Sequence, residues 1–278
     1  MKCALLSIAI AFAYVPAPAE DIRSADAFIA SARAATAKYR DRNVAIADGY
    51  LQIGGDFPGM GQHWIQTGLL FDGKVDPAHP EILTYLVVAG KPQLLGAAYA
   101  LPLLETESPP DWPAGKDAWH DHFRTLEDET TLPVHHTDGR GGHAPRITML
   151  HAWIWAENPA GKFAADNWSL PYVRLGIEPP KGAPEAAAKA LSLASGGAEY
   201  FSASINAAAR LTTAERKKVD ATLARSQRAL DSLLRGRPAV LTASQVEQLS
   251  AIWTGLWKAI DASVRPTVRP LVRQLPVR

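Results

Sequence analysis

Pro179-Pro180 divides the chain into two parts of different texture. Before it, aromatic and β-branched residues gather in short runs punctuated by Gly and Pro. After it, Ala and Leu dominate and aromatics become sparse. Short β-rich runs followed by helical runs read as α+β. The expected fold is an N-terminal helix packed on an antiparallel β-sheet within residues 60–175, followed by a C-terminal α-helical bundle. Hydrophobic residues make up 47% of the 278 and charged residues 21%. That is enough apolar side chain for a core, and it excludes a chain disordered throughout.

Phe28, Ala32, Ala35, Tyr39 and Ile46 recur at helical spacing, with Gly49 as the stop. Residues 54–61 are too rich in Gly and Pro for a regular element. Ile82 to Val88, the Gly90-Lys91-Pro92 turn signal and Leu94 to Leu101 predict an antiparallel hairpin. Trp119 to Leu126 and Arg146 to Trp155 are further strand candidates, with a polar loop between them. Beyond the prolines three helices are expected. The first runs from about Pro184 to Arg210, with Gly196-Gly197 a candidate break. The others start at Thr212 and Thr242, where Glu215 and Gln245 complete capping boxes. Arg265-Pro266, Arg269-Pro270, Arg273 and Pro276 argue against a continuous helix and suggest an extended basic strap.

The first residues read as an address. Lys2, an apolar stretch from Ala4 to Val15 and Pro16-Ala17-Pro18-Ala19 have the form of a secretory signal peptide cleaved after Ala19. The expected divisions are a signal at 1–19, an α+β domain at 20–178, a helical region at 184–264 and a basic tail at 265–278. Cys3 leaves with the signal, so the mature chain has no cysteine, which suits an oxidising compartment such as a periplasm. No later apolar run approaches the ~20 residues of a membrane span. Charge is uneven. Residues 20–209 hold 15 Lys+Arg and 23 Asp+Glu, whereas residues 210–278 hold 13 and 5. The basic part would dock on the acidic part or on an acidic partner. Nucleic acid is not expected, for no recognised module is present.

All eight histidines lie between residues 63 and 151. Imidazole is a common metal ligand and proton carrier. In Trp119-His120-Asp121-His122-Phe123, strand alternation puts His120 and His122 on one face, roughly 6–7 Å apart. Met149, His151 and Trp153 share a face by the same rule. Gly59-Met60-Gly61-Gln62-His63-Trp64 lets a loop turn His63 inward. Each histidine alone is more often a satisfied core or surface residue. Three segments that each set His beside Trp point further, because aromatic neighbours supply the dry wall of a metal site. The proposed metal ligands are His63, His120, His122 and His151. Met60 and Met149, each within three residues of a candidate histidine, would suit copper; zinc and non-haem iron stay open. Asp121, Glu157 and Asp166 are candidate carboxylate ligands. His79, His135, His136 and His143 read as surface residues, or as a labile external metal tract in the 135–143 loop.

Several stretches occur together: Ala35-Thr36-x-x-Tyr39-Arg40-Asp41, Ala47-Asp48-Gly49-Tyr50, Gly59-Met60-Gly61-x-His63-Trp64, Pro80-Glu81-x-Leu83-x-Tyr85, Leu150-His151-x-Trp153-x-Trp155 and Asn158-Pro159-x-Gly161-x-Phe163. This set resembles a group of exported bacterial proteins with no assigned activity. It covers roughly residues 33–168 and implies export and a shared domain, but no reaction. Catalytic signatures are missing from the sequence: no Gly-x-Ser-x-Gly elbow, P-loop, GxGxxG or HExxH. The leading expectation is an exported metal-binding protein handling copper or zinc. The alternatives are a metal-free small-molecule module with a pocket walled by Trp64, Trp119, Trp153 and Trp155, and a structural protein whose basic tail meets an acidic partner.

Overall fold

The computed structural model describes residues 24–70, 72–104, 107–122, 146–182 and 185–273. The expected signal segment and the 135–143 stretch lie outside these. The fold is α+β, as the two textures imply. Ser24 caps helix α1 (Ala25–Thr36) by accepting from the amide of Ala27 (3.1 Å), and Phe28, Ile29 and Ala32 form its buried face. The single helix expected up to Gly49 is interrupted. A 3₁₀ turn (Ala37–Arg40) follows α1, and then Asp41 adopts an extended conformation and caps α2 (Arg42–Ala47). The cause is local: the Asp41 carboxylate takes the Asn43 amide and starts a new helix.

Among the described residues the sheet has six antiparallel strands: β1 (Leu51–Phe57), β2 (Gly61–Ile65), β3 (Ile82–Val88), β4 (Lys91–Leu103), β5 (His120–His122) and β6 (Arg146–Ala152), in spatial order β1-β2-β3-β4-β6-β5. β1 overturns the expectation of an irregular loop at 54–61. Its glycines are absorbed by a register shift between Ile53 and Asp56, with Gly54 at φ +60°. The central strand, β4, pairs with β3 on one edge and β6 on the other. One face of the sheet receives α1: Phe28, Ile29 and Ala32 pack with Ala97, Tyr99, Leu101, Leu150 and Ala152. The second face presents Ile65, Ile82, Ala98, Ala100, Ile147 and Met149, packed with Leu70.

The C-terminal helices have their own core. They are α3 (Leu170–Leu175), α4 (Glu185–Ser192), α5 (Ala198–Ala209), α6 (Thr213–Leu233), α7 (Ala243–Ser263) and α8 (Arg269–Arg273). Leu191, Phe201, Ile205, Val219, Leu223, Leu249, Trp253 and Ile260 are among its buried residues. Gly196-Gly197 do not break the chain there. They close a π-helical turn (Leu193–Gly197) through which the helical run continues. Both capping boxes form. The strap expected at residues 265–278 is helical as far as it is described. Pro266 opens a 3₁₀ turn and Pro270 lies in the first turn of α8, where proline is tolerated, and Val268 and Val272 are buried. Glu215 joins the two ends of this region: it caps α6 at Thr212 and also accepts from the amide and guanidinium of Arg265. Among the described residues no ion pair links the acidic first part to the basic region beyond residue 209, and no helix is long and apolar enough to cross a membrane.

Two ties hold the β1–β2 hairpin to the segment that leads into the helices. Arg174 of α3 pairs with Asp56, with Nη1 donating to Oδ2 at 2.9 Å. The Asn167 amide donates to the Gly59 carbonyl at the hairpin tip (2.8 Å).

Two stability predictions follow from these contacts. A Cβ at Gly96 would stand 2.0 Å from the Ala152 carbonyl oxygen, so Gly96→Ala must push β6 off β4. Urea denaturation is expected to show a loss of roughly 2–3 kcal/mol. The Glu215 carboxyl, held by backbone and guanidinium donors, titrates at about 2, below an unfolded value of about 4.3. Its contribution is therefore present above pH ~4.3 and lost as pH falls through about 2. Glu215→Gln should lower the Tm at pH 7, and the gap to wild type should close between pH ~4.5 and ~2.5.

Candidate metal site on the second face of the sheet

Register places the histidines. His63 pairs with Thr84, Thr84 with Gly96, and Ala98 with His151. On the other side of β6, His120 pairs with Met149, two residues from His151. All of these positions share the second face. β2 and β6 are separated by β3 and β4, yet the imidazoles of His63 and His151 meet, with ring centres 5.5 Å apart. They can do so because the strands between them offer little bulk on this face: Thr84 on β3, then Gly96 and Ala98 on β4. His120 approaches His151 from the opposite side, at 5.1 Å. The three imidazoles form a row with His151 in the middle.

Two members of the row are dry: His63 is 5% exposed and His151 2%. His120, at the outer end, is half-buried. The Phe57 ring stands edge-on to His63 at 5.2 Å, and the Trp153 indole lies 6.2 Å from His151. Phe57 is carried by the hairpin that Arg174 anchors, so α3 fixes one wall of the row. Trp153 is held by Leu86, Leu95 and Leu170, and its Nε1 donates to the Ala164 carbonyl.

The spacing suits ligation. A ring centre lies ~3.2 Å from a metal bound at ~2.0–2.1 Å, so two imidazoles at a tetrahedral angle have centres ~5.2 Å apart. Both observed separations are close to this value. Among the described residues, however, no group of three or more His, Cys, Asp or Glu side chains is arranged to hold one ion. The row therefore offers pairs of imidazoles, His63 with His151 or His151 with His120, and not a closed three-histidine cage. Met149, buried opposite His120 in the register, brings a thioether to the second pair.

The other sequence candidates fall into place around this. His122 occupies the register position opposite Ile147; its side chain, like that of Asp121, lies outside the described residues. Met60 sits half-buried in the β1–β2 turn, where its amide donates to the Phe57 carbonyl. Asp166 lies against that turn, beside Gly59, and its carboxyl is pushed up by burial while Lys189 opposes the shift. Glu157 is exposed. His79 is exposed and bonds Asp76 (2.8 Å), a surface residue as read from sequence; His135, His136 and His143 lie outside the described residues. The four tryptophans do not share one wall. Trp119 joins the α1 face, Trp64 packs with Leu83 and Tyr85, Trp153 packs with Leu170, and Trp155 bridges the first two groups.

Sequence reasoning passed over Glu81. The residue is 1% exposed. β4 runs past the start of β3, and the Glu81 carboxyl takes the Ala100 amide left on that edge (3.3 Å). Burial pushes the carboxyl up to about 8, with Asp72 and Asp76 adding to the shift and the Ala100 amide opposing it. A Glu immediately before an apolar strand was the available signal. Nearby hydroxyls are structural: Tyr50 donates to the Pro80 carbonyl, Tyr99 to Pro77 and Tyr85 to Tyr39, and burial raises the pKa of all three phenols.

Because the folded Glu81 carboxyl titrates above its unfolded value, the stability it contributes is complete below pH ~4.3 and falls as pH rises toward about 8. Glu81→Gln keeps an acceptor for Ala100 without the charge. Urea midpoints at pH 5, 6.5 and 8 should show the variant gaining on wild type, by roughly 3 kcal/mol across the range. A pH-independent difference would contradict the buried titration. No protein-family model, curated protein or solved structure matches the chain.

Proposed function

We propose that this chain is an exported protein that binds a transition-metal ion through His151, with His120 and Met149 as its nearest co-ligands and His63 as the imidazole on the other side. The observation that carries this reading is the pair of imidazole separations, 5.1 and 5.5 Å, around one buried histidine. Two imidazoles and a thioether, with no thiol in the mature chain, favour copper, and Cu(I) in particular. Zinc, indifferent to thioether, would draw on the imidazoles alone. The form of residues 1–19, that of a signal peptide, supports the exported part of this reading. The dispersal of the four tryptophans supplies no support for a single aromatic-walled pocket.

Elemental analysis of untagged protein purified from its native compartment tests the reading. Wild type is expected to carry near-stoichiometric copper or zinc, or to take up one equivalent of Cu(I) or Zn²⁺. His151→Ala, which removes the imidazole common to both pairs, and His63→Ala/His120→Ala should each weaken uptake at least tenfold, and Met149→Leu should weaken Cu(I) but leave Zn²⁺ within twofold. No bound metal together with no uptake of either ion would overturn the proposal.

A further inference from the structure

A second constellation lies away from the histidine row, where α1 and its 3₁₀ extension meet the segment after β6. The half-buried indole of Trp155 donates its Nε1 proton to Thr36 Oγ1 at the end of α1 (3.0 Å). Two exposed guanidiniums lie over this one ring. The central carbon of Arg33 is 4.9 Å from the ring centroid and that of Arg40 is 5.3 Å from it, so the two carbons are at most about 10 Å apart. A third, Arg42, stacks on Trp64 at 4.9 Å and donates from Nη1 to Gln62 Oε1. Trp64 and Trp155 border the same core cluster.

The carboxylates on the same elements are engaged elsewhere. Asp26 pairs with Lys162, Asp48 takes Lys38 and the Tyr39 hydroxyl, and Asp41 caps α2. Among the described residues, Arg33, Arg40 and Arg42 form no ion pair with a carboxylate. This positive island stands in the acidic part of the chain, where residues 20–209 hold 15 basic against 23 acidic side chains. Guanidiniums stacked on one indole are restrained in position, and stacking leaves the planar N–H fork able to meet an oxyanion in two parallel hydrogen bonds. A tetrahedral oxyanion held between two such forks sets their carbons ~8 Å apart, inside the limit the ring imposes.

We propose that Arg33 and Arg40 clamp a phosphoryl oxyanion beside Trp155, with Arg42 strengthening the field. The anion is either a free phosphate or phosphate ester, or the phosphate of an anionic lipid headgroup, and the two sources share the recognition chemistry.

The test titrates the full mature protein with inorganic phosphate in a calorimeter, at low chloride, and in parallel sediments it with phosphatidylglycerol or phosphatidylcholine vesicles. Either saturable phosphate binding or sedimentation with phosphatidylglycerol alone is expected, and the responding probe identifies the source. Arg33→Gln/Arg40→Gln should weaken that binding at least tenfold. Lys91→Gln, which removes an exposed charge from the β3–β4 turn, should leave it within twofold. If the double variant does not fold, the single variants Arg33→Gln and Arg40→Gln should each weaken binding several-fold. Failure of wild type to bind either probe overturns the proposal. Undiminished binding in the arginine variants, or an equal loss in Lys91→Gln, does so as well.

Discussion

Between His63 and His151, β4 carries almost nothing. Gly96, Ala98 and Ala100 succeed one another there, and no Cβ fits at Gly96 because the Ala152 carbonyl lies against it. This economy of side chain is what the candidate site depends on. Side chains from strands three positions apart in a sheet do not ordinarily meet, since neighbouring strands are ~4.8 Å apart. Here His63 reaches His151 over Thr84, Gly96 and Ala98. Larger residues at those places would fill the space and leave two isolated buried imidazoles. On its opposite face β4 has the contrary character: Tyr99 and Leu101 fill the space under α1. One strand thus supplies bulk to a core and vacancy to a site.

Polar ties fix the margins of this arrangement. The Arg174–Asp56 pair, partly buried on both sides, sets the β1–β2 hairpin against α3 and with it the ring of Phe57. In the helical part, Glu215 takes donors from Thr212 and Arg265 together, so the start of α6 and the exit from α7 share one carboxylate. Each tie satisfies groups that burial would otherwise leave costly, and each joins segments far apart in sequence. The helices beyond Pro179-Pro180 bury their own apolar faces, and no candidate ligand of the row comes from them.

Local rules made much of this legible. The textures on either side of Pro179-Pro180 correspond to the sheet and the helices, and both capping boxes were readable from four residues each. Alternation placed His120 with His122, and Met149 with His151, on common faces, and the pairing of β5 with β6 brings the two faces together. What was hidden was non-local. Nothing in Gly54-Gly55 distinguishes a bulged strand from a loop until β2 lies beside it. Asp41 ends one helical run because it caps the next, a competition that apolar spacing does not register. Glu81 looks like a polar flank of β3 until the overhang of β4 is known. Arg33 and Arg40 read as the solvated side of a helix until the Trp155 ring is packed against both.

Strand order has a further meaning for assembly. β1 to β4 follow one another as neighbours, so their pairing closes only short segments of chain. β6 must dock on β4 across more than forty intervening residues, and β5 attaches outside it. Loop closure makes such pairings slow and late. His63 therefore belongs to the early meander, whereas His151 and His120 arrive with the late strands. A chain stalled before that docking has a meander with β4 left as an open edge and a single histidine of the row. An ion that recognised only the completed row would draw the folding equilibrium toward the docked state by mass action, so that ion supply would determine how long new chains remain incomplete.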